Sequence, residues 1–473
     1  MHKQIITSVM SLFFQSGYSA FLGLIANLVL TVLLSPTIFG MYITVLSIIS
    51  LLNYFSDIGL AASLIQKKAI TDDDIKTTFT VQQILIMSLV IIGFLSTSFI
   101  KKFYSLPVEG TYLYWGLLLA FFISSLKTIP SIFLERKIQF QKIVRVQVIE
   151  NTVFYLLATI LAVFNFGVMS FTYAVIARAL IGLIAMYLIS NWKPTLGIST
   201  KSLKHLLSFG LPFQASSFLA LFKDDLIILF LGKVLGFEGL GYIGWAKKWA
   251  ESPIRIIMDN ISRVLFPVFS RIQGDKQKIS RLLEKLLNYQ TTLLAPAMIG
   301  LILLMEPLVN IIPRYNKWLP ALPFFYIFCL SAFFSTYSTP FMNLFNALGK
   351  VKISFSFMLF WTIATWLLTP VFTQMFGLYG FPLNQLILSL TFAVVIYMAK
   401  KEVDFRFLHS VYKPLIATSV MGVIILLIIN SAIPTTPLIM LTIIISALIY
   451  FIILKFIFKI DLIEELKFLF TKK

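Results

Sequence analysis

The chain is 473 residues long, 59% hydrophobic and only 12% charged, with a formal net charge of +19. That much apolar residue excludes a water-soluble globular protein, and the succession of long apolar segments marks a polytopic membrane protein. Strand-like alternation is absent, so helices rather than a barrel do the spanning.

Hydropathy predicts an all-α membrane protein with about fourteen transmembrane helices. In chain order the first six lie near 10–34, 39–66, 78–100, 112–134, 148–166 and 171–190. Six more lie near 209–231, 240–268, 287–312, 320–347, 354–375 and 381–399, and the last two near 414–432 and 437–459. Met1-His2-Lys3 is weakly basic and the apolar run behind it has no small-x-small cleavage site, so it is expected to be a membrane helix rather than a cleaved signal.

The loops divide by charge. With the N-terminus inside, the inner loops collect Lys67, Lys68, Arg136, Lys137, Lys201, Arg271, Arg281, Lys350, Lys352, Lys400, Lys401 and the lysines of the tail. The outer loops hold only Lys101, Lys102, Lys233, Arg314 and Lys317. This asymmetry predicts a cytoplasmic (inner) membrane protein with both termini cytoplasmic, and it assigns most of the basic excess to orientation rather than to nucleic acid. The outer connections are short turns, and no sizeable soluble domain is expected on either side. Thr71 followed by Asp72-Asp73-Asp74 reads as the N-cap and first turn of the third span.

Charges inside the spans carry the functional signal. An Arg, Lys or Asp at the centre of a membrane helix costs roughly 2.5–3.5 kcal/mol, so it is expected to face a wet cavity or a partner. Lys127 falls in the fourth span and Arg178 in the middle of the sixth, and Lys223-Asp224-Asp225 interrupts the seventh. Glu150, near a loop, reads as half of an internal ion pair. Asp57 fits a cavity and an interface equally well. The densest charge lies in Leu240 to Phe269, which carries Lys247, Lys248, Glu251, Arg255, Asp259 and Arg263. From Lys248 onward these follow one another by three or four residues, which keeps them on one face and allows i,i+4 pairing of Glu251 with Arg255, Arg255 with Asp259 and Asp259 with Arg263. Lys247 and Arg263 can also be explained as snorkelling ends. Ser252-Pro253 predicts a kink or break in this helix, because Pro removes a donor and crowds the preceding turn.

A repeat is visible about 200 residues apart. Leu34-Ser35-Pro36-Thr37-Ile38-Phe39-Gly40-Met41-Tyr42 opens the second span, and Leu235-Gly236-Phe237-Glu238-Gly239-Leu240-Gly241-Tyr242-Ile243 opens the eighth. Six spans separate the copies, so the expected arrangement is two six-helix lobes, 1–198 and 199–410, related by a pseudo-two-fold along the membrane normal. Residues 411–473 add two C-terminal helices and a basic tail.

No phosphate-binding G-x-x-x-x-G-K-[ST] loop, H-E-x-x-H or paired-cysteine site occurs, so no metal, cofactor or catalytic constellation is expected. Cys329 is the only cysteine, which excludes a disulfide framework.

Several stretches resemble the polysaccharide transporter family, which includes lipid-linked oligosaccharide flippases. They are Phe39-Gly40-Met41-Tyr42; Phe55-Ser56-Asp57-Ile58-Gly59-Leu60 through Gln66-Lys67-Lys68; and Leu134-Glu135-Arg136-Lys137-Ile138-Gln139-Phe140. Phe209-Gly210-Leu211-Pro212, Ile261-Ser262-Arg263-Val264-Leu265-Phe266-Pro267 and Ala347-Leu348-Gly349-Lys350 extend the match along most of the chain. The resemblance implies the multidrug/oligosaccharidyl-lipid/polysaccharide exporter fold, in which basic residues line a cavity that opens alternately to each side. It implies a polyprenyl-diphosphate-linked oligosaccharide as cargo, for surface polysaccharide assembly. Lys127, Arg178, Lys223, Lys248, Arg255 and Arg263 are the candidate ligands of the diphosphate and glycan. Asp57, Asp225, Glu251 and Asp259 would balance charge or couple an ion, and Gly210, Pro212 and Pro253 would act as hinges. Membrane lipid, a polysaccharide polymerase and a chain-length regulator are the expected partners. A cation-coupled multidrug exporter shares this architecture but would favour an acidic, aromatic cavity. An integral-membrane glycan polymerase or transferase would need a large catalytic loop. A scaffold would not require so much intramembrane charge.

Overall fold

The computed structural model describes residues 2–215, 218–431 and 433–459, without the side chains of 1–10, 12–13, 212–213, 215, 218–220, 223–224, 259–261 and 263–264. The described chain is helical throughout. The first half runs α1 (His2–Leu33), α2 (Pro36–Phe55), α3 (Leu60–Gln66), α4 (Asp72–Leu95), α5 (Thr97–Tyr104), α6 (Val108–Ser125), α7 (Thr128–Arg136), α8 (Phe140–Val163), α9 (Met169–Ile189) and α10 (Thr200–Ala215). Then follow α11 (Phe218–Ile272), α12 (Lys276–Ile311), α13 (Leu322–Thr336), α14 (Ser338–Ala347), α15 (Val351–Phe376), α16 (Gly380–Ser389), α17 (Phe392–Lys400), α18 (Phe407–Ser431) and α19 (Thr436–Ile452). Among the described residues, 11 segments are long and apolar enough to cross a membrane, or 12 when the bent pair α6–α7 is taken as one. The spans expected near 209–231 and 240–268 fall on one such segment, Asp225–Met258, and those near 354–375 and 381–399 on another, Val351–Lys400.

The helix starts follow local chemistry. Ser35 caps α2 with Pro36 in its first turn, and Thr435 caps α19 in the same way. At α4 the Thr71 hydroxyl accepts from the Asp74 backbone N–H at 3.2 Å while Asp74 Oδ2 accepts from the Thr71 N–H at 2.9 Å. This is the capping box that the Thr-Asp-Asp-Asp run implies. Asp275 caps α12 by accepting from the Lys278 N–H at 3.0 Å, and that bond above all holds its carboxyl below the usual range.

Among the described residues, four breaks between helices share a local feature. Each comes just after a hydroxyl that donates to the carbonyl three residues back: Ser56 to Asn53, Ser125 to Phe122, Thr336 to Phe333 and Ser389 to Leu386. Such a bond competes with the helical ladder and bends the chain. The backbone tightens with it, the N–H groups of Ser56, Leu126, Tyr337 and Leu390 each reaching a carbonyl three residues back. The α6–α7 pair is bent by 42°. Between α2 and α3 the break is sharper, with φ of 39° at Ile58 and 81° at Gly59.

The break expected at Pro253 is not there. Helical dihedrals run through it, and the one non-helical residue inside α11 is Gly236, at φ 68° and ψ 178°. Pro253 is buried, and the Ser252 hydroxyl donates to the Trp249 carbonyl, satisfying an acceptor next to the proline. The region φ 68°, ψ 178° is nearly closed to residues with a Cβ, so Gly236 is where this chain can turn.

The chain forms two compact units, Met1–Gly244 and Trp245–Lys473. In the first, α8 packs along both α1 and α9, and α6 along α9. Residues 199–244, which the repeat assigns to the second half, pack here, α10 lying against α3 and α4. In the second, α18 lies along α12, and α19 is tied to α12 by the Tyr450 hydroxyl donating to the Thr292 carbonyl at 2.8 Å. Leu304, Ala417, Met421, Ile425, Ile439 and Tyr450 form the core of that corner.

The two repeat copies meet in the first unit. A Cβ on Gly40 would overlap the Phe237 carbonyl, and a Cβ on Gly241 would overlap the Pro36 carbonyl. Gly40 and Gly241 are equivalent in the repeat, as are Pro36 and Phe237, so the contact is reciprocal. Backbone lies on backbone at both points, and only glycine allows that approach.

Candidate functional site

The first unit holds a polar seam where α6–α7, α8 and α9 converge. Bending the span at Leu126 puts Lys127 opposite α8, where its ammonium pairs with the buried Glu150 carboxylate. The Tyr187 hydroxyl donates to the Leu126 carbonyl at 3.0 Å, an acceptor that the break leaves available. On α9, a Cβ at Gly182 would overlap Glu150 Oε1, so the glycine makes room for the carboxylate. Glu150 is thus the internal partner expected of it, and Lys127 is the residue it balances.

One turn before Gly182, Arg178 lies at the middle of α9. Its guanidinium sits 5.8 Å from the centre of the Phe154 ring. Phe154 is buried, and the Tyr42 ring stacks on Phe171 at 4.2 Å and on Phe154 at 6.4 Å. Arg178 remains exposed, and among the described residues no carboxylate comes within ion-pair distance of it. An aromatic face gives a guanidinium partial compensation, of about 0.5–2 kcal/mol, and leaves its forked donors for an anion.

The second unit holds the ladder on α11. Glu251 lies between Lys247, at 3.7 Å, and Arg255, at 3.0 Å. The expected Glu251–Arg255 pair therefore forms. Lys247, which end-snorkelling could have explained, joins the network instead, with its ammonium 5.6 Å from the Phe381 ring of α16. Lys248 is exposed on the same helix, and the Arg255 side chain is 67% exposed. Beside the ladder the helix is dry: Trp245 stacks on Trp318 at 5.4 Å, and its indole donates to the Tyr315 hydroxyl at 2.9 Å.

Of the other residues singled out from the sequence, Asp57 sits in the break between α2 and α3, where Oδ1 accepts from the Ala61 N–H at 2.9 Å. Its carboxylate is committed to starting α3. Asp225 is half-buried on α11. The side chains of Lys223, Asp259, Arg263 and Pro212 lie outside the described residues. Gly210 is a close-packing point, since a Cβ on it would press on the Gly59 and Ile58 carbonyls. The Gln214 amide donates to the Tyr54 carbonyl at 2.7 Å beside it.

The polysaccharide biosynthesis protein family matches residues 29–323. The chain belongs to that family. Its relatives include the lipopolysaccharide biosynthesis protein WzxC of Escherichia coli, 26% identical over 394 residues, covering 80% of this chain and 76% of the relative. The succinoglycan biosynthesis transport protein ExoT of Rhizobium meliloti is 23% identical, covering 71% and 68%. The teichuronic acid biosynthesis protein TuaB of Bacillus subtilis is 23% identical, covering 78% and 77%. In fold, the chain superposes on the lipid II flippase MurJ, in an inward closed conformation, with a TM-score of 0.73 at 16% identity, covering 96% of this chain and 99% of that one. An inward-facing multidrug resistance transporter of the multidrug/oligosaccharidyl-lipid/polysaccharide exporter superfamily gives 0.56 at 13% identity, covering 83% and 95%. The chain is therefore a multi-pass membrane protein of a transporter family and not an enzyme.

Within this family member, the aromatic setting of Arg178 and the place of Lys247 were not legible beforehand. Tyr42, Phe154 and Phe171 are ordinary apolar-span residues in one dimension, and only the packing of α2, α8 and α9 stacks them. Lys247 differs from Lys248 by one residue and about 100° of helix, and the position of Phe381 decides which way it leans.

Proposed function

We propose that this chain carries polyprenyl-diphosphate-linked oligosaccharide repeat units across the cytoplasmic membrane by alternating access, supplying a surface polysaccharide. The observation that carries the reading is Arg178, a mid-span guanidinium that is exposed, lies 5.8 Å from the Phe154 ring centre and has no carboxylate partner among the described residues. The diphosphate cannot cross hydrocarbon bare, and an arginine in a wet cleft replaces its water with a bidentate, charge-assisted contact. Names of relatives that refer to lipopolysaccharide, succinoglycan and teichuronic acid support a glycan cargo and leave its sugars open. In the second unit, taken by itself, Lys248 and Arg255 give α11 an exposed positive face, with Glu251 holding Arg255. Lys127, already matched by Glu150, serves the cargo only by exchanging that partner. The lysine and arginine bias of the loops supports both termini being cytoplasmic. A cation-coupled drug exporter is disfavoured, because an exposed guanidinium repels a cationic drug.

The test is flux in proteoliposomes of a fluorescent lipid-linked oligosaccharide, read as protection of the label from an impermeant quencher. Arg178→Ala is expected to lower the initial rate at least about tenfold, the scale of losing a charge-assisted hydrogen bond. Arg178→Lys should keep part of it, and a cationic dye should not move. Undiminished sugar flux in Arg178→Ala, with the variant correctly folded, would remove Arg178 from the cargo path.

A further inference from the structure

A groove of about 450 Å³ runs between α15 and α17, lined by Lys352, Ile353, Ser356, Phe357, Phe360, Thr391, Val394 and Met398. It exists because α17 leaves α15. The break at Leu390–Thr391 turns α17 onto α14, where Val395 and Ala399 are buried with Phe341 and Phe345. The gap left beside α15 has an apolar floor and walls.

Its polar groups are arranged asymmetrically. At the deep end the Trp361 indole donates to the Thr391 hydroxyl at 2.8 Å, and that hydroxyl donates to the Leu388 carbonyl at 2.6 Å. The Ser356 hydroxyl donates to the Lys352 carbonyl at 2.8 Å. These groups are satisfied within the protein, so the interior offers little to a polar ligand. At the mouth, Lys350 is matched by Glu402. Lys352 is exposed in the first turn of α15, and among the described residues no carboxylate lies within ion-pair distance of it. Lys400 and Lys401 lie at the same end of α17, and the outer flanks, Phe355, Phe360, Val394 and Tyr397, are exposed and apolar or aromatic.

We propose that this groove binds an anionic phospholipid of the bilayer, with one acyl chain along Phe357, Phe360, Val394 and Met398 and the phosphate at the Lys352 ammonium. The groove matches an amphiphile with one negative end and one long apolar end, and it lies where a leaflet supplies one. From Lys352 to Phe360 is eight residues, about 12 Å along a helix, which is most of one leaflet's hydrocarbon depth. Among the described residues, Lys352 is the one basic residue that lines the groove itself, which suits a phosphodiester. The diphosphate and far longer tail of a polyprenyl carrier exceed both the charge and the length of the groove. Basic pockets between spans are where such headgroups dock. The proposal does not rest on the cargo assigned above.

The experiment is native mass spectrometry of the full chain released from vesicles containing phosphatidylglycerol or, separately, phosphatidylcholine. The wild-type chain should retain phosphatidylglycerol over phosphatidylcholine. Lys352→Glu should lower phosphatidylglycerol retention about fivefold, the scale of one lysine at a membrane surface. Val394→Trp, which fills the groove, should lower retention of bound lipid while leaving Lys352 in place, and Lys201→Glu, on α10, should change nothing. Thermal melts show that each variant is folded, and Lys352→Gln substitutes where Lys352→Glu is not. Equal retention of the two lipids, or unchanged retention in Val394→Trp, overturns the proposal. So does displacement of phosphatidylglycerol by equimolar polyprenyl diphosphate, which would make the groove a cargo site.

Discussion

Glu150 and Gly182 show how one buried carboxylate constrains three helices. Removing one member of a buried ion pair costs about 3–5 kcal/mol, because the other is left charged in a poor solvent. Lys127→Met or Glu150→Leu alone should therefore lower the thermal midpoint of the purified protein markedly, while the double variant should recover much of the loss. Gly182→Ala should destabilise in the same assay although no charge changes, because the added methyl displaces the carboxylate. If the double variant is as unstable as the worse single, the pair is not what holds the bend. The charges themselves could be read from the chain, since an ionisable residue inside an apolar run stands out. Their partners could not. Lys127 and Glu150 lie on different spans, and only the bend at Ser125–Leu126 brings them together. By contrast Glu251 and Arg255 share a helix, and four-residue spacing was enough to pair them.

At the level of the helix, α11 shows a strong local rule giving way. Proline is a helix breaker when it removes a donor that is needed and crowds a carbonyl that cannot move. At Pro253 the Ser252 hydroxyl and a buried setting accommodate it, and Gly236 does the breaking. Gly236→Ala is expected to cost about 1–3 kcal/mol in an unfolding measurement, from forcing a Cβ into a glycine-only conformation. Pro253→Ala should be close to neutral. The reverse order would mean that Pro253 is the strained position. Interruptions elsewhere were hidden for a different reason. Serine and threonine are common in membrane helices, and nothing local tells Ser125 or Ser389, which precede breaks, from Ser88, which bonds back to the Ile84 carbonyl inside an unbroken α4. Helix starts were easier, as at Thr71 and Asp74, because a cap is a contact within four residues.

At the level of the whole molecule, the lysine and arginine bias predicts which loops face the cytoplasm. Cys329 is the only cysteine and is buried, so single introduced cysteines can be labelled against a quiet background. A cysteine at Thr435 should react in intact cells with an impermeant maleimide, and one at Lys401 only after the membrane is opened. The opposite pattern would invert the topology. The repeat near Gly40 and Gly241 was visible as a spacing, but its meaning as a contact was not, because a glycine records only the absence of a side chain. Main chain touching main chain there has no rotamers to freeze and no ions to strip of water. Such a contact is set by thickness alone. Any bulkier residue at either glycine becomes a doorstop, holding α2 off α11 by roughly the width of what was added.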